Sequence, residues 1–312
     1  MTNKVAILLS SYNGSRFISE QIKSIINQNY ANWELFIRDD CSLDNTISII
    51  QSFSKKDSRI HFIEGKSNLG PLKSFQKLLK FAKNYEYVMF SDQDDIWFPD
   101  KVSKSVYQIR KERKINQYAL VYTNYYVRKN NSQTLAYRKN MLPMNIPNNI
   151  LIQSWLMGCT MILSRALVEI AYKIPTSAVN HDNWFAKVAS IIGKIGYIDE
   201  PTMIHILHDN NVTQTITSGN IKNKIKNVIT KFIKRNDEFQ VLYDSSKQLS
   251  TLALSLNISP SRKKLVSEYY YLFRVGFFKK KTIIRQNNFR AYTRRQNLLF
   301  KMILFLGRHV DH

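Results

Sequence analysis

Two short acidic runs, Asp39-Asp40 and Asp92-Gln93-Asp94-Asp95, each follow an apolar stretch of the chain. Five carboxylates at neighbouring strand ends would repel one another and resist ionisation unless a cation or hydrogen-bond donors sat among them. Mg²⁺ or Mn²⁺ suits such a place, because hard divalent ions are held by one or two protein carboxylates while phosphates and waters complete the shell. That chemistry predicts a diphosphate ligand. The plain alternative is that these aspartates are solvated loop residues or helix caps. A single Asp favours the plain reading; two clusters at adjacent strand ends favour the cation.

The elements that must hold these groups are legible as alternating patterns. Residues 5–10 form an apolar run that reads as a buried strand, and Phe17, Ile18, Gln21, Ile22, Ile25 and Ile26 recur at helical spacing. Residues 33–38 return to strand, 45–56 to helix and 60–64 to strand, Pro71 opens a further helix, and 87–90 is a fourth strand. This βαβαβαβ order implies right-handed crossovers and a doubly wound α/β sheet flanked by helices. Ligands of such sheets sit at the carboxyl ends of the strands, where Ser11-Tyr12-Asn13-Gly14 and both acidic runs fall. Further on, 101–113 reads as helix, 120–127 as extended, 129–149 as a long loop, 159–163 as strand and 165–172 as helix. A second helix starts near His181, and the extended pieces 194–198 and 202–207 enclose a solvated turn at Asp199-Glu200-Pro201.

The chain has 312 residues, 44% apolar and 12% aromatic, which excludes a disordered polymer, and its 9 Gly and 7 Pro exclude a collagen-like one. Lys and Arg total 46 against 23 Asp and Glu, a formal charge of +23 that favours polyanionic partners. Residues 219–312 hold 20 of the basic side chains and five of the acidic ones, so the excess belongs mainly to an appendage. We expect an α/β catalytic domain over 1–218 and a basic, amphipathic helical region over 219–312. In the latter, Ile221, Ile225, Val228, Ile229, Phe232 and Ile233 form a stripe flanked by lysines, and 265–278 and 283–306 repeat the theme. Such helices either dock on the main domain or lie in an anionic lipid interface. Two cysteines, Cys41 and Cys159, offer neither a disulfide framework nor a Cys-based zinc site, which points to a reducing cytoplasm. The apolar run at 5–9 is too short for a signal-peptide core, and no stretch approaches the roughly 20 apolar residues of a membrane span.

The motifs follow in a telling order. Ser11-Tyr12-Asn13-Gly14 is followed by Glu20-Gln21-Ile22-Lys23-Ser24-Ile25, Asp39-Asp40-Cys41-Ser42-Leu43-Asp44-Asn45-Thr46, Asn68-Leu69-Gly70 and Ser91-Asp92-Gln93-Asp94-Asp95-Ile96-Trp97. Gly158-Cys159-Thr160, His181-Asp182-Asn183-Trp184 and His208-Asp209-Asn210-Asn211-Val212 complete the series. From about residue 5 to 212 the chain resembles the family-2 glycosyltransferases with their GT-A fold, and within them the rhamnosyltransferases of cell-wall or capsule assembly.

The resemblance implies a role for each matching position. Tyr12 and Asp40, with Asp39, line the nucleotide base, Lys73 lies near the nucleoside, Asp92 contacts the ribose, and Ser11, Asn13 and Asn68 are further nucleotide-binding residues. Asp94 holds the metal on the diphosphate with Asp95 in support, and His208 helps hold metal or phosphate. Asp182 is the catalytic base. Gly158, His181, Trp97, Trp155 and Trp184 are supporting or acceptor residues, with His181 chiefly orienting the helix that presents Asp182 and each Trp serving either core or acceptor wall. Two departures stand out: Cys41 replaces the usual Gly, and His205-Ile206-Leu207-His208 lacks the Arg often found before the histidine.

These readings lead to an inverting, Mg²⁺- or Mn²⁺-dependent transferase that moves a sugar from a nucleotide donor to a lipid-linked or oligosaccharide acceptor. Nucleic acid is not an expected partner. The expected location is the inner face of the cell membrane, reached through the C-terminal helices. A nucleotidyltransferase also uses acidic metal ligands on an α/β sheet, but Ser11-Tyr12-Asn13-Gly14-Ser15-Arg16 is a poor version of its glycine-rich phosphate loop. A nucleic-acid binder driven by the basic tail is the other rival.

Overall fold

The run Val5–Ser11 is buried along both faces, as a central strand of a sheet covered by helices must be. The computed structural model describes residues 3–129, 135–137, 147–154, 156–208, 224–291 and 294–307. In it, β1 (Val5–Ser11), β2 (Trp33–Asp39), β3 (Ile60–Glu64) and β4 (Tyr87–Asp92) are parallel, in the spatial order β3-β2-β1-β4. Their crossovers are α1 (Ile18–Ile26), α2 (Thr46–Ser54) and α3 (Gly70–Leu78). Helix α1 buries Ile18, Ile22 and Ile25, the stripe its spacing predicts. Pro71 stands at the start of α3, where its missing N–H costs nothing.

After β4 come β5 (Asp95–Trp97), α4 (Lys101–Ile115), β6 (Ala119–Lys129), β7 (Leu135–Tyr137), α5 (Pro147–Ile152), β8 (Met161–Ser164), α6 (Arg165–Ala171), α7 (His181–Ile192) and β9 (Lys194–Leu207). The sheet continues as β4-β8-β6-β9-β5, with β7 on β6. Strand β8 is antiparallel to both neighbours, β9 runs parallel to β6, and β5 is antiparallel to β9, so the sheet is mixed.

Three local expectations need correction. Strand β4 runs on to Asp92, and the acidic run turns back at once into β5. The expected loop at 129–149 contains β7 and the start of α5; its remainder lies outside the described residues. The pieces at 194–198 and 202–207 are one strand, whose register against β6 shifts near Asn124. Asp199 and Glu200 at that irregularity are exposed, as expected for a solvated turn, and Asp199 also accepts hydrogen bonds from Asn124 Nδ2 at 2.8 Å and the Tyr197 hydroxyl at 2.7 Å.

The C-terminal region forms α8 (Lys224–Ser255), α9 (Pro260–Tyr271), α10 (Phe277–Gln286) and α11 (Arg294–Leu306). Breaks at 272–276 and 287–291 divide the two helical stretches expected there. The stripe from Ile221 to Ile233 falls outside the described side chains. Asn149 Nδ2 donates to the Arg290 carbonyl at 3.1 Å, and Arg262 donates to the Ser190 carbonyl at the end of α7. Phe239, Val266, Tyr269 and Leu304 are buried and join the same apolar core as the sheet.

Candidate active site

The turn between β4 and β5 gathers three carboxylates within four residues. Asp92 lies opposite Ser10 on β1, and Asp95 lies opposite His205 on β9. Gln93 ties the turn to the first loop: Tyr12 N donates to its Oε1 at 2.8 Å, and its Nε2 donates to the Tyr12 carbonyl at 3.0 Å. A Cβ on Gly14 would meet Gln93 Oε1 at 2.2 Å, so a side chain there would push the Gln93 amide away from Tyr12. Asp94 Oδ2 lies 2.7 Å from His208 Nε2, and Asp95 Oδ1 lies 2.9 Å from His205 Nδ1. The His208 ring stacks on Phe17 at 4.6 Å.

Electrostatics mark this turn as strained for charge. Burial, then the charges of Asp95 and Asp94, push Asp92 up to about 8, with Asp182 adding to the effect and His205 opposing it. Burial and Asp95 likewise raise Asp94, against the pull of His208 and His205. Burial disfavours protonation of His205, but its bond to Asp95 and the neighbouring carboxylates prevail and raise its pKa.

Asp182 comes from a separate segment, in the first turn of α7, near enough to act on the charge of Asp92. Its Oδ2 accepts from Gly158 N at 3.2 Å and its Oδ1 from Asn183 N at 2.6 Å. Burial outweighs these amide bonds and lifts the carboxyl to about 6, close to the value that serves a general base near neutrality. His181 is wedged between Phe75 and Phe90, at 4.0 and 4.6 Å, and burial lowers it to about 3. A neutral, packed imidazole anchors the helix start. Gly158 closes this corner, because a Cβ there would meet His181 Nε2 at 2.5 Å.

The second acidic run is committed to the loops around it. Asp39 is fully buried and accepts from Ser11 Oγ at 2.9 Å, Ser42 N at 2.8 Å and Ser42 Oγ at 2.6 Å. Asp40 accepts from the amides of Leu69 and Gly70, at 2.8 and 2.7 Å, and pairs with Arg38. Burial alone would raise Asp40, but Arg38 and the two amides win and lower it. Around them, Asn13 takes a left-handed φ of 46° and accepts from Leu43 N at 2.8 Å, and Cys41 has a φ of 67°. That conformation explains why glycine suits the Cys41 position. Asn68, just before α3, and Lys73, in its first turn, are exposed, and Tyr12 in the first loop is 44% exposed.

Two tryptophans are buried in the core. Trp97 is 2% exposed, and its amide donates to Ser24 Oγ at 3.1 Å. Trp184 is 4% exposed, and its indole donates to the Ala171 carbonyl at 2.9 Å. Trp155 lies outside the described residues.

Several groups went unnoticed in the sequence. Arg38 directly precedes Asp39-Asp40, a usable signal. Cys159 and His205 meet Asp95 so that one ligand atom of each lies within 4.8 Å of the others, which only the mixed topology brings about. Lys101, at the start of the helix read over 101–113, is fully buried, over the Trp97 ring and donating to Thr202 Oγ1 at 3.2 Å. Burial lowers it to about 8, against the pull of Cys159 and Asp95.

The residues fit a divalent cation. Asp95 Oδ2 is buried with no hydrogen-bond partner among the described residues, and Asp92 and Asp94 resist ionisation without added positive charge. A carboxylate with one imidazole, as in Asp94 and His208, is a donor set that Mn²⁺ accepts and that Mg²⁺, which prefers oxygen ligands, accepts less readily. Cys159 is a poorer ligand, since burial and then Asp95 and Asp92 raise its thiol well above the ordinary value and keep it protonated.

Comparison with known proteins supports the same chemistry. Residues 6–171, just over half the chain, match the sequence profile described as Glycosyl transferase family 2. The chain is 35% identical over 166 residues to the UDP-Glc:α-D-GlcNAc-diphosphoundecaprenol β-1,3-glucosyltransferase WfgD of Escherichia coli, covering 53% of this chain and 62% of that one. It is 29% identical over 294 residues to the dTDP-rhamnosyl transferase RfbG of Shigella flexneri, covering 85% of this chain and 97% of that one. Among solved structures, S. aureus TarS 1–349 with UDP-GlcNAc is similar at a TM-score of 0.60 and 16% identity, over 90% of this chain and 79% of that one. The mannosyltransferase PcManGT of Pyrobaculum calidifontis, solved with GDP-Man and Mn²⁺, gives a TM-score of 0.55 at 14% identity, over 97% and 84%. The last two likenesses establish the GT-A fold, and with the profile match the chain belongs to glycosyl transferase family 2.

Proposed function

We propose that this glycosyltransferase moves one hexose from a nucleoside diphosphate donor to a hydroxyl of a growing bacterial surface polysaccharide, with inversion at the anomeric carbon. The observation that carries this reading is the meeting of Asp92, Asp94 and Asp95 with Asp182, from separate segments, close enough for each to alter the ionisation of Asp92. One side of the site gathers negative charge that calls for a cation and a diphosphate. The other holds a carboxylate poised near neutrality.

Asp94 and His208 hold the divalent ion, with Asp95 in support, and Asp92 contacts the donor ribose. The bound cation supplies neutralisation for charge on the departing diphosphate. Asp182 takes the acceptor proton as the hydroxyl oxygen attacks, so no covalent enzyme intermediate is needed. Ser11, Asn13, Asp39 and Asp40 shape the nucleoside pocket, Tyr12 offers a ring for the base, and Asn68 and Lys73 flank it.

The donor reading is dTDP-rhamnose first, because RfbG is matched along 97% of its length and WfgD along 62%. The acceptor reading is lipid-linked, supported by the diphosphoundecaprenol sugar in the name of WfgD. Residues 1–218 carry the chemistry, and 219–312 bring the enzyme to the inner membrane face where such acceptors sit. Family membership favours transfer over the nucleotidyl-transfer and nucleic-acid-binding alternatives. Mass spectrometry of products from a panel of nucleotide sugars and lipid-linked acceptors tests this reading. A deoxyhexose added from dTDP-rhamnose supports it, and donor hydrolysis without transfer to any acceptor in the panel contradicts it.

A further inference from the structure

Helix α11 is apolar on two sides. Phe300, Ile303 and Leu304 face the body of the protein and are buried, whereas Leu298, Leu299, Met302 and Leu306 lie on the opposite side and are exposed. An amphipathic helix docked on a core ordinarily presents charge outward, so a second apolar stripe requires a partner. Helix α10 extends the patch: Phe278 is 83% exposed, and Phe277 touches Phe305 of α11 at 5.0 Å. Lys280 fixes the two helices together by donating to the Leu304 carbonyl at 2.6 Å.

The charge around this patch has one sign. Lys279, Lys281, Arg285, Arg294, Arg295 and Lys301 are exposed on the same two helices, and residues 277–307 contain no Asp or Glu. Protein partners of ordinary composition would leave most of these cations unpaired, whereas a sheet of anionic headgroups matches all of them over an apolar layer. No helix among the described residues is long and apolar enough to cross a membrane.

We infer that the outer face of α10 and α11, with Phe278, Leu298, Leu299 and Met302 at its centre, lies in the interface of an anionic lipid bilayer. This deepens the reading of a lipid-linked acceptor by naming the surface that meets the lipid. The aromatic and leucine side chains enter the acyl boundary while the flanking Lys and Arg stems extend to the phosphates.

Flotation of the full chain with vesicles tests this. Binding to mixed phosphatidylcholine and phosphatidylglycerol vesicles, and weak binding to pure phosphatidylcholine, is the expected result. Phe278→Ser with Leu298→Ser and Leu299→Ser should weaken anionic-vesicle binding at least about tenfold, and Arg294→Gln with Arg295→Gln about 25-fold. All these side chains are exposed, so thermal melting should match the parent and confirm intact folding. Folded parent protein that ignores anionic vesicles, or triple-variant binding equal to the parent, overturns the inference. So does a dimer seen by sedimentation velocity that the triple substitution splits without any vesicle binding. Transfer to a water-soluble acceptor analogue should be unchanged in both variants, which separates failure of this surface from failure of the enzymatic reading.

Discussion

Asp182→Asn separates the pH dependence of stability from catalysis. The substitution removes a charge that burial disfavours and keeps one oxygen, so one of the Gly158 and Asn183 amides retains its acceptor while the other faces an NH2 group. A native value of about 6 against an ordinary 3.8 is a shift of about two units, or about 3 kcal/mol. The sign follows from proton linkage. Between about pH 4 and 6 the folded protein keeps a proton that the unfolded chain has released, so stability is fully present below that window and falls as pH rises through it. The Asn variant has no such loss. Its stability relative to the parent should therefore rise by up to about 3 kcal/mol from pH 4 to pH 8, on top of a pH-independent cost of about 1–3 kcal/mol for the amide that loses its acceptor, as read by urea unfolding at both pH values. Turnover should fall about 10²- to 10⁴-fold while nucleotide binding persists, and parent activity should rise with pH through about 6. A stability difference between variant and parent that stays the same from pH 4 to pH 8 would refute the buried charge, and retained turnover would place the base elsewhere.

Three further substitutions probe the surroundings. Gly158→Ala forces a Cβ against His181, which Phe75 and Phe90 hold in place, and should cost about 1–3 kcal/mol in unfolding free energy and lower turnover by displacing the Asp182 support. Cys41→Gly relieves a left-handed backbone and should raise stability by up to about 1 kcal/mol, as measured by thermal or urea denaturation; a loss would show that the Sγ bond to the Gly65 carbonyl matters more. Trp184→Phe removes the indole bond to Ala171 and should cost about 1–2 kcal/mol with an unchanged acceptor KM, whereas a KM rise would return this ring to the acceptor wall.

The parallel half of the sheet was legible because its strands are continuous apolar runs and its helices carry clear stripes at 3.6-residue spacing. The acidic turn could be located for the same reason, since it follows one of those runs. Strand β5 was not legible: three residues that begin with an aspartate show no periodicity, and only pairing with β9 makes them a strand. That pairing also places His205 on Asp95 across 110 positions, a contact that local pattern cannot supply. Trp97 and Trp184 were ambiguous because a large ring suits core and acceptor wall alike, and only the folded chain shows both rings buried. Asp39 and Asp40 were correctly read as strand-end carboxylates, but their serine, amide and arginine partners come from loops whose course follows only from the folded chain.

The central claim is that the acidic turn clasps a cation that in turn holds a diphosphate. Titration calorimetry of a nucleoside diphosphate, with and without Mn²⁺, into the parent and into Asp94→Ala tests it most directly. The account predicts binding that depends on Mn²⁺ in the parent and disappears in the variant. Equal affinity with and without the ion, or undiminished metal-dependent binding in Asp94→Ala, would contradict it.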